Sequence, residues 1–331
     1  GLVLGEGEKS GLKQHDPGLV ANFLKILGDH TAGDPMRADV KWTNLSRRQI
    51  ARQLEVLGTP AGKNVVSQLL RDHGYRRRKP QKTRTMGGHV DRNAQFEKLA
   101  DIKQRYLEAG KPVISMDTKK KELLGNFYRD GVTDAVEATV VNDHDFPSYS
   151  GGKLIPHGIY DLARNEAALH LNTSHDTSEF ACESLECWWR EQGRHHYPEA
   201  DEILILCDGG GSNSASHYLF KEDLQALANR LNLALRIAHY PPYCSKYNPI
   251  EHRLFPHVTR ACKGVPLDSV ETAKHYMEKT QTTTGLNVVV RVIDKVFETG
   301  RKYASDFKDT MQIPFDDYLP KWNYTAIPQT E

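Results

Sequence analysis

No apolar run in these 331 residues approaches the roughly 18 to 20 that a membrane span needs, and the opening stretch, GLVLGEGEKSG, lacks the basic-then-apolar order of a secretory signal. Membrane insertion and secretion are therefore not expected, and a cytoplasmic protein is. A start at Gly1 instead of Met suggests a fragment, a processed chain or a tag scar. Cysteine is scarce: Cys182, Cys187, Cys207, Cys244 and Cys262 are odd in number and form no CxxC pair. Reduced, buried thiols are expected in place of a disulfide framework. The apolar pattern around Cys182 and Cys187 reads as helix core, against a zinc set completed by His195 and His196. Net charge is nearly absent as well, at +1. At 38% apolar and 26% charged residues, the composition is that of an ordinary folded protein with room for two domains.

The small net charge hides an uneven distribution. From Lys41 to Arg84 there are twelve Lys or Arg against Glu55 and Asp72, a local +10, so the rest of the chain must carry −9 for the total to reach +1. A basic module joined to an acidic body predicts a polyanion held by the first and metal-dependent chemistry in the second.

The basic module reads as helical. Asp16-Pro17 opens a short apolar helix that stops at Gly28, and GDHTAGDP follows as a loop. Ser46 begins a second helix with Ile50, Leu54 and Leu57 on one face and Gly58 at its end. After GTPAG, a third carries Val65, Val66, Leu69 and Leu70 inward. Two short amphipathic helices around a Gly/Pro turn match a helix-turn-helix, with Lys63, Asn64, Ser67, Gln68 and Arg71 as the positions that would face DNA. The tail adds Arg76, Arg77, Arg78, Lys79, Lys82 and Arg84, suited to phosphates or a minor groove. The domain expectation is 1–90 for this DNA-binding module, 91–110 for a connector helix capped by Asp91, and 111–331 for a catalytic domain with a C-terminal extension.

The catalytic half reads as α/β. KPVISMD is a strand ending on Asp117, ELLGNFYRDG a strand pair or one bent strand, and HGIYDLARNEAALHLNTS a hairpin turning near Arg164-Asn165. Asp176 opens a long helix, with Glu179 completing a capping box. EILILCD is wholly apolar up to Asp208, as in a strand covered on both faces. A helix, the strand LALRIAHYPP and a helix from Asn248-Pro249 follow. If the first and fourth strands are neighbours, Asp117 and Asp208 emerge side by side, and Glu251 reaches them from the last helix. Three carboxylates converging from separate elements suit two hard divalent ions about 3.5–4 Å apart, which promote in-line phosphoryl displacement by water or a DNA 3′-hydroxyl. Each acid also has a plain local reading. Asp117 can end a strand, Asp208 can enter a Gly-rich turn, and Glu251 can close a capping box on Asn248.

Together, MDTKKKELLGNFYRDG, HDFP, IPHGIYDLARNE, HDTSEFACESLECWW, CDGGGSN, PPYCSKYNPIEHRLF and WNYT resemble the Rhodopirellula-type DDE transposases, an insertion-sequence family, from about Asp16 to Tyr324. NPIEHRLF is also similar to the wider mariner-like group. The resemblance implies an RNase H-like mixed sheet flanked by helices, dependence on Mg²⁺ or Mn²⁺, and cleavage and strand transfer at transposon ends. Its acidic triad falls on Asp117, Asp208 and Glu251. Double-stranded DNA is the expected partner, at transposon ends and target, with a homodimer or higher multimer assembled on it near the nucleoid. Lys119, Lys120, Lys121, Lys246 and Asn248 could contact phosphates near the acids, and His175 and His252 could position a water or phosphate. A catalytically silent DNA-binding protein and a stand-alone RNase H-like nuclease are the alternatives; no acid is missing to favour the first.

Overall fold

In the computed structural model the chain divides into two compact units, Gly1–Thr83 and Arg84–Glu331. The structure describes residues 16–34, 37–43, 45–76, 91–142, 148, 150–210 and 217–329.

The first unit has α1 (Pro17–His30), the antiparallel hairpin β1 (Thr31–Asp34) and β2 (Arg37–Thr43), α2 (Arg47–Val56) and α3 (Lys63–Asp72). Phe23, Ile26 and Leu27 of α1 pack with Ile50 and Leu54 of α2 and Val66 and Leu69 of α3. These are the inward positions of the helical periodicity. Ser46 caps α2 with a full capping box: its hydroxyl accepts from the Gln49 amide at 3.2 Å, and the Gln49 side chain accepts from the Ser46 amide at 2.8 Å. Gly58, at φ +77°, turns the chain out of this helix in a conformation other residues adopt at a cost. Two expectations are corrected. The first helix runs through Gly28 to His30, and the loop expected over GDHTAGDP contains β1. A Gly inside a helix costs only about 1 kcal/mol, and TAGD becomes a strand because it pairs with the β-prone KWT segment of β2.

The second unit contains α4 (Arg92–Glu108), β3 (Val113–Thr118), β4 (Glu122–Leu124), β5 (Gly152–Asp161), β6 (Glu166–Asn172), α5 (Ser178–Trp188), α6 (Arg194–His196), β7 (Glu202–Asp208), α7 (Tyr218–Leu231) and β8 (Ala234–Tyr240). It continues with α8 (Pro249–Arg253), α9 (Phe255–Ala261), α10 (Val270–Met277), β9 (Asn287–Val292), α11 (Phe307–Thr310) and β10 (Asn323–Ala326). The sheet order is β10-β8-β7-β3-β5-β6-β9, with β4 paired to β5. The first and fourth core strands, β3 and β7, are parallel neighbours, as are β7 and β8, while β5 runs antiparallel to both β3 and β6. In chain order the five core strands are arranged 3-2-1-4-5 with only the second reversed, which is the RNase H-like sheet.

Strand parity sorts side chains between two helical layers. Ile114 and Met116 of β3, Ile203, Ile205 and Cys207 of β7, and Leu235 and Ile237 of β8 pack with α5 and α7. On the opposite face, Val113, Leu204, Leu206, Ala238 and Tyr240 pack with Leu99 and Ile102 of α4. The helix expected as a connector thus lies against the sheet, with Asp91 at its N-cap position making no side-chain capping bond. Farther along that face, Leu154, Tyr160 and Leu169 pack with Ile250, Leu254 and Phe255. Fully burying a Leu or Ile side chain contributes roughly 1.5–3 kcal/mol, so a sheet covered on both faces is well supported.

Three more local expectations change. Only Glu122–Leu124 of ELLGNFYRDG is strand. Thr177, not Asp176, caps α5, its hydroxyl accepting from the Phe180 amide at 3.2 Å. Asp176 instead accepts from Thr118 Oγ1 at 3.0 Å, and Glu179 pairs with Lys295 and Arg301. All five cysteines are free thiols; Cys182 is core, as the helix-core reading expects, whereas Cys187 is only half-buried, and His196 pairs with Glu166 at 2.9 Å. Among the described residues no helix is long and apolar enough to cross a membrane.

Candidate active site

The two aspartates are brought level by register alone. Val113 pairs with Leu204 and Ser115 with Leu206 across β3 and β7, so two residues farther Asp117 stands beside Asp208. Both share the parity of Val113, Ser115 and Leu206, and so face the α4 and α8 layer. Directly across β5 from Asp117 is Gly158. A methyl group there would lie 2.8 Å from Ile250 Cδ1 and 2.8 Å from Phe255 Cε1. The missing side chain lets α8 and α9 settle onto the sheet beside the acids.

Asn248 fixes that helix in place. It is fully buried; its Oδ1 accepts from Ser115 Oγ at 2.5 Å, and its Nδ2 donates to the Met116 carbonyl at 3.3 Å and to Asp208 Oδ1 at 3.5 Å. The Ile250 amide donates to Ser115 Oγ at 3.0 Å. The Asn248 side chain makes no capping bond to its own helix. Glu251 is not held in a capping box either: its carboxyl shares a hydrogen bond with Asp117.

The electrostatics record the crowding. Burial, then the charges of Asp208, Glu251 and Asp176, push Asp117 up to about 8, against the Thr118 amide that donates to it at 2.7 Å. Burial and the Glu251 charge raise Asp208 to about 6, offset by Asn248. Burial raises Glu251, while its bond to Asp117 and the charge of Lys119 oppose the rise. Asp117 is therefore the protonated member of the group near neutrality. Among the described residues no three His, Cys, Asp or Glu side chains are arranged to hold one metal ion. Two carboxylates and several waters are an ordinary Mg²⁺ shell, however, and buried acids raised by neighbours of their own sign are a donor set that a divalent cation would relieve. The chemistry of the residues present fits such an ion.

Behind Asp208 lies a support that sequence reasoning missed. His239 Nδ1 is 3.0 Å from the Asp208 carbonyl oxygen and its Nε2 is 2.9 Å from the Tyr324 hydroxyl. Gln95 donates to the His239 carbonyl at 2.9 Å and accepts from Asn323 at 2.7 Å. WNYT is thus an edge strand clamped to β8, and its polar residues brace the strand next to Asp208. Ser115, a lone hydroxyl inside an apolar strand two residues before the acid, was the available signal for the Asn248 peg.

The expected DNA-contact residues divide. Lys63, Asn64, Arg71 and Arg76 are exposed on the helical unit. Gln68 is half-buried and bonded to Asp72 and Arg71, and Ser67 is turned inward, donating to the Lys63 carbonyl at 2.7 Å. Arg77, Arg78, Lys79, Lys82 and Arg84 lie outside the described residues, as does HDFP. In the sheet unit Lys246 is exposed beside the Tyr247 ring. Two expectations there are corrected. Asn248 is sealed under α8, and Lys119 is 7% exposed with its ammonium on Glu122 at 2.5 Å, so neither presents a free surface to phosphate. Lys120 is exposed and Lys121 stands 3.9 Å from Asp176. His175 faces the Phe297 carbonyl at 2.9 Å, and His252 is exposed.

Comparison with known proteins gives distant structural likenesses and one family. "Mos1 transposase paired-end complex with left transposon end" is 15% identical with a TM-score of 0.45 over 84% of this chain and 74% of that one. The "Mos1 mariner paired end complex with Mn" is 16% identical at 0.44 over 83% and 73%, and the "mariner Mos1 paired end complex with Mg" 15% identical at 0.45 over 84% and 74%. Likenesses this remote say nothing of this chain's own ligands. No curated protein matches it. The family described as the Rhodopirellula transposase DDE domain matches residues 22–328, nearly the whole sequence, and the chain belongs to that family.

Proposed function

We propose that this transposase-family chain cuts phosphodiester bonds at transposon ends and joins the freed end to target DNA, with Asp117, Asp208 and Glu251 as the reacting site. The observation that carries the reading is the placement of the three acids. Register sets Asp117 level with Asp208 on one sheet face, and α8 brings Glu251 into hydrogen-bond contact with Asp117. Asp117 and Asp208 would hold one Mg²⁺ or Mn²⁺, and Glu251 with Asp117 a second. Such ions supply positive charge for the attacking and leaving oxygens of an in-line displacement. Asn248 orients Asp208 and holds α8, Ser115 holds Asn248, and Lys119 lends positive charge to Glu251 from below.

The helical unit, with Lys63, Asn64, Arg71 and Arg76 outward, grips the DNA backbone. The basic residues from Arg77 to Arg84 extend that grip in this reading, and a dimer or larger assembly pairs two ends in the cytoplasm. In this reading the DNA-binding module runs through residue 90, and α4, packed on the sheet, belongs with the catalytic domain that continues from 111.

The test is incubation of the full chain with end-bearing DNA and Mg²⁺. Asp208→Asn and Glu251→Gln should each abolish cleavage, and unchanged activity in both sinks the assignment. Joined products separate a transposase from a stand-alone nuclease. Salt-sensitive binding without any metal-dependent nicking points to the catalytically silent alternative.

A further inference from the structure

A second charged region lies on the same face of the sheet. A cleft of about 810 Å³ runs along α8 and α9, closed by the β5–β6 turn at Asn165 and the threonine-rich segment before β9. Arg253, His257 and Arg260 line it, with Thr282 and Thr284 opposite and no Asp or Glu in the wall. Arg253 and Arg260 are exposed and form no ion pair among the described residues. His257 lines the cleft between them, with its Nδ1 buried and without a hydrogen-bond partner. The opposite wall is already ordered: Asn165 Nδ2 donates to the Thr284 carbonyl at 3.0 Å, and the Thr282 and Thr284 hydroxyls meet at 2.9 Å.

We infer that this cleft is a DNA-backbone site, in which Arg253, His257 and Arg260 take successive phosphates of one strand independently of base sequence. The inference rests on the reading above that DNA is the substrate. Unneutralised guanidinium groups facing hydroxyls, with no carboxylate nearby, suit phosphate oxygens above other anions because two or more N–H groups can engage each phosphate. Scale favours a polymer over one small anion. Arg253 ends α8 and Arg260 lies in α9, beyond the break at Leu254, so the cleft of about 810 Å³ offers two separate cations, which a strand rising about 3.4 Å per nucleotide meets with different phosphates. Arg253 also follows Glu251 by only two residues. The two share α8 and, two residues apart, point to different sides of it.

The experiment uses the full chain carrying Asp208→Asn, so that binding is read without cleavage. Fluorescence anisotropy follows a labelled duplex of unrelated sequence over a salt series without divalent ions. Adding Arg253→Gln with Arg260→Gln should lower the slope of log affinity against log salt by about 1.8, two phosphate contacts at about 0.9 each, and weaken binding to every sequence alike. Arg253→Lys with Arg260→Lys should restore the slope, which a merely unfolded variant would not do. A slope unchanged by the glutamines, or no duplex binding by the parent, overturns the site. A third arm titrates inorganic phosphate alone. If low-millimolar phosphate raises the melting temperature of the parent but not of the glutamine variant while the duplex slope is unchanged, the cleft holds a small anion and the DNA assignment falls. Metal-dependent cleavage by the unsubstituted chain is scored separately, so loss of the slope effect and loss of the catalytic reading remain distinct results.

Discussion

The carboxylates at the ends of β3 and β7 and the guanidinium groups of α8 and α9 are both clusters of like charge, yet the fold treats them in opposite ways. Asp117, Asp208 and Glu251 are packed between strand ends and α8, and their repulsion and burial force a proton onto Asp117, which is raised to about 8. Arg253 and Arg260 are exposed, where water and salt screen like charges from one another. Buried like charges are a loaded arrangement that must find a proton or a cation. Exposed ones can wait for a partner.

The strongest way to break this contrast is to remove the repulsion. Asp117→Asn should lower cleavage by about 10²- to 10³-fold, the range expected when one preorganised electrostatic group is lost from a reacting site. The same substitution should stabilise the metal-free protein. Between the ordinary aspartate range and about 8, the folded protein keeps a proton on Asp117 that the unfolded chain has released. Stability from this group is therefore full at low pH and declines as pH rises through that window. At pH 8 the variant should melt about 5 °C above the parent, on a scale where 1 kcal/mol moves a domain of this size by about 2–4 °C, and the gap should narrow towards pH 5. Trp188, Trp189 and Trp322 report the sheet unit in a fluorescence melt.

A smaller effect is expected from the support of the acids. Asn248→Ala removes the peg between α8, β3 and Asp208 without touching a charge, and should reduce cleavage about 10- to 100-fold, as second-layer partners of metal ligands do. Wild-type rates would show that α8 holds its place without Asn248. Gly158→Ala should act through the same joint, lowering cleavage while duplex affinity stays within about twofold, a change of under 0.5 kcal/mol. The smallest effect belongs to the open side. Arg253→Gln with Arg260→Gln should shift the melting temperature by no more than about 4 °C, because exposed substitutions usually stay within about 0.5 kcal/mol each. A larger loss would mean the cleft is structural.

Much of this was legible in the sequence because it is local or additive. The apolar run ILILC fixes β7 as a strand covered on both faces, and the end of that run places Asp208. The adjacency of β3 and β7 could be stated only as a condition, because consecutive strands are the commoner neighbours; the parallel register meets that condition. Capping was less legible: Asp176 and Thr177 are both good caps, and which of them serves α5 depends on Thr118, nearly 60 residues away in the chain, having taken Asp176. Lys119 and Asn248 misled for a related reason. A Lys after an acid and an Asn before a helix look exposed in a linear reading, and only the tertiary fold shows Glu122 and Ser115 waiting for them. β9 escaped notice because its pairing with β6 is parallel and distant, and no local turn announces it.

Gly158 brings the site's dependence down to a single atom. It carries no functional group and touches no substrate, yet the hydrogen it has in place of a methyl group lets Ile250 and Phe255 lie against the strand. A screen that scored every substitution for activity alone would rank this position beside Asn248. Only a separate measure of folding and DNA affinity would reveal that its contribution is clearance. Any attempt to transplant these carboxylates onto another sheet must therefore carry an empty position on the neighbouring strand along with them.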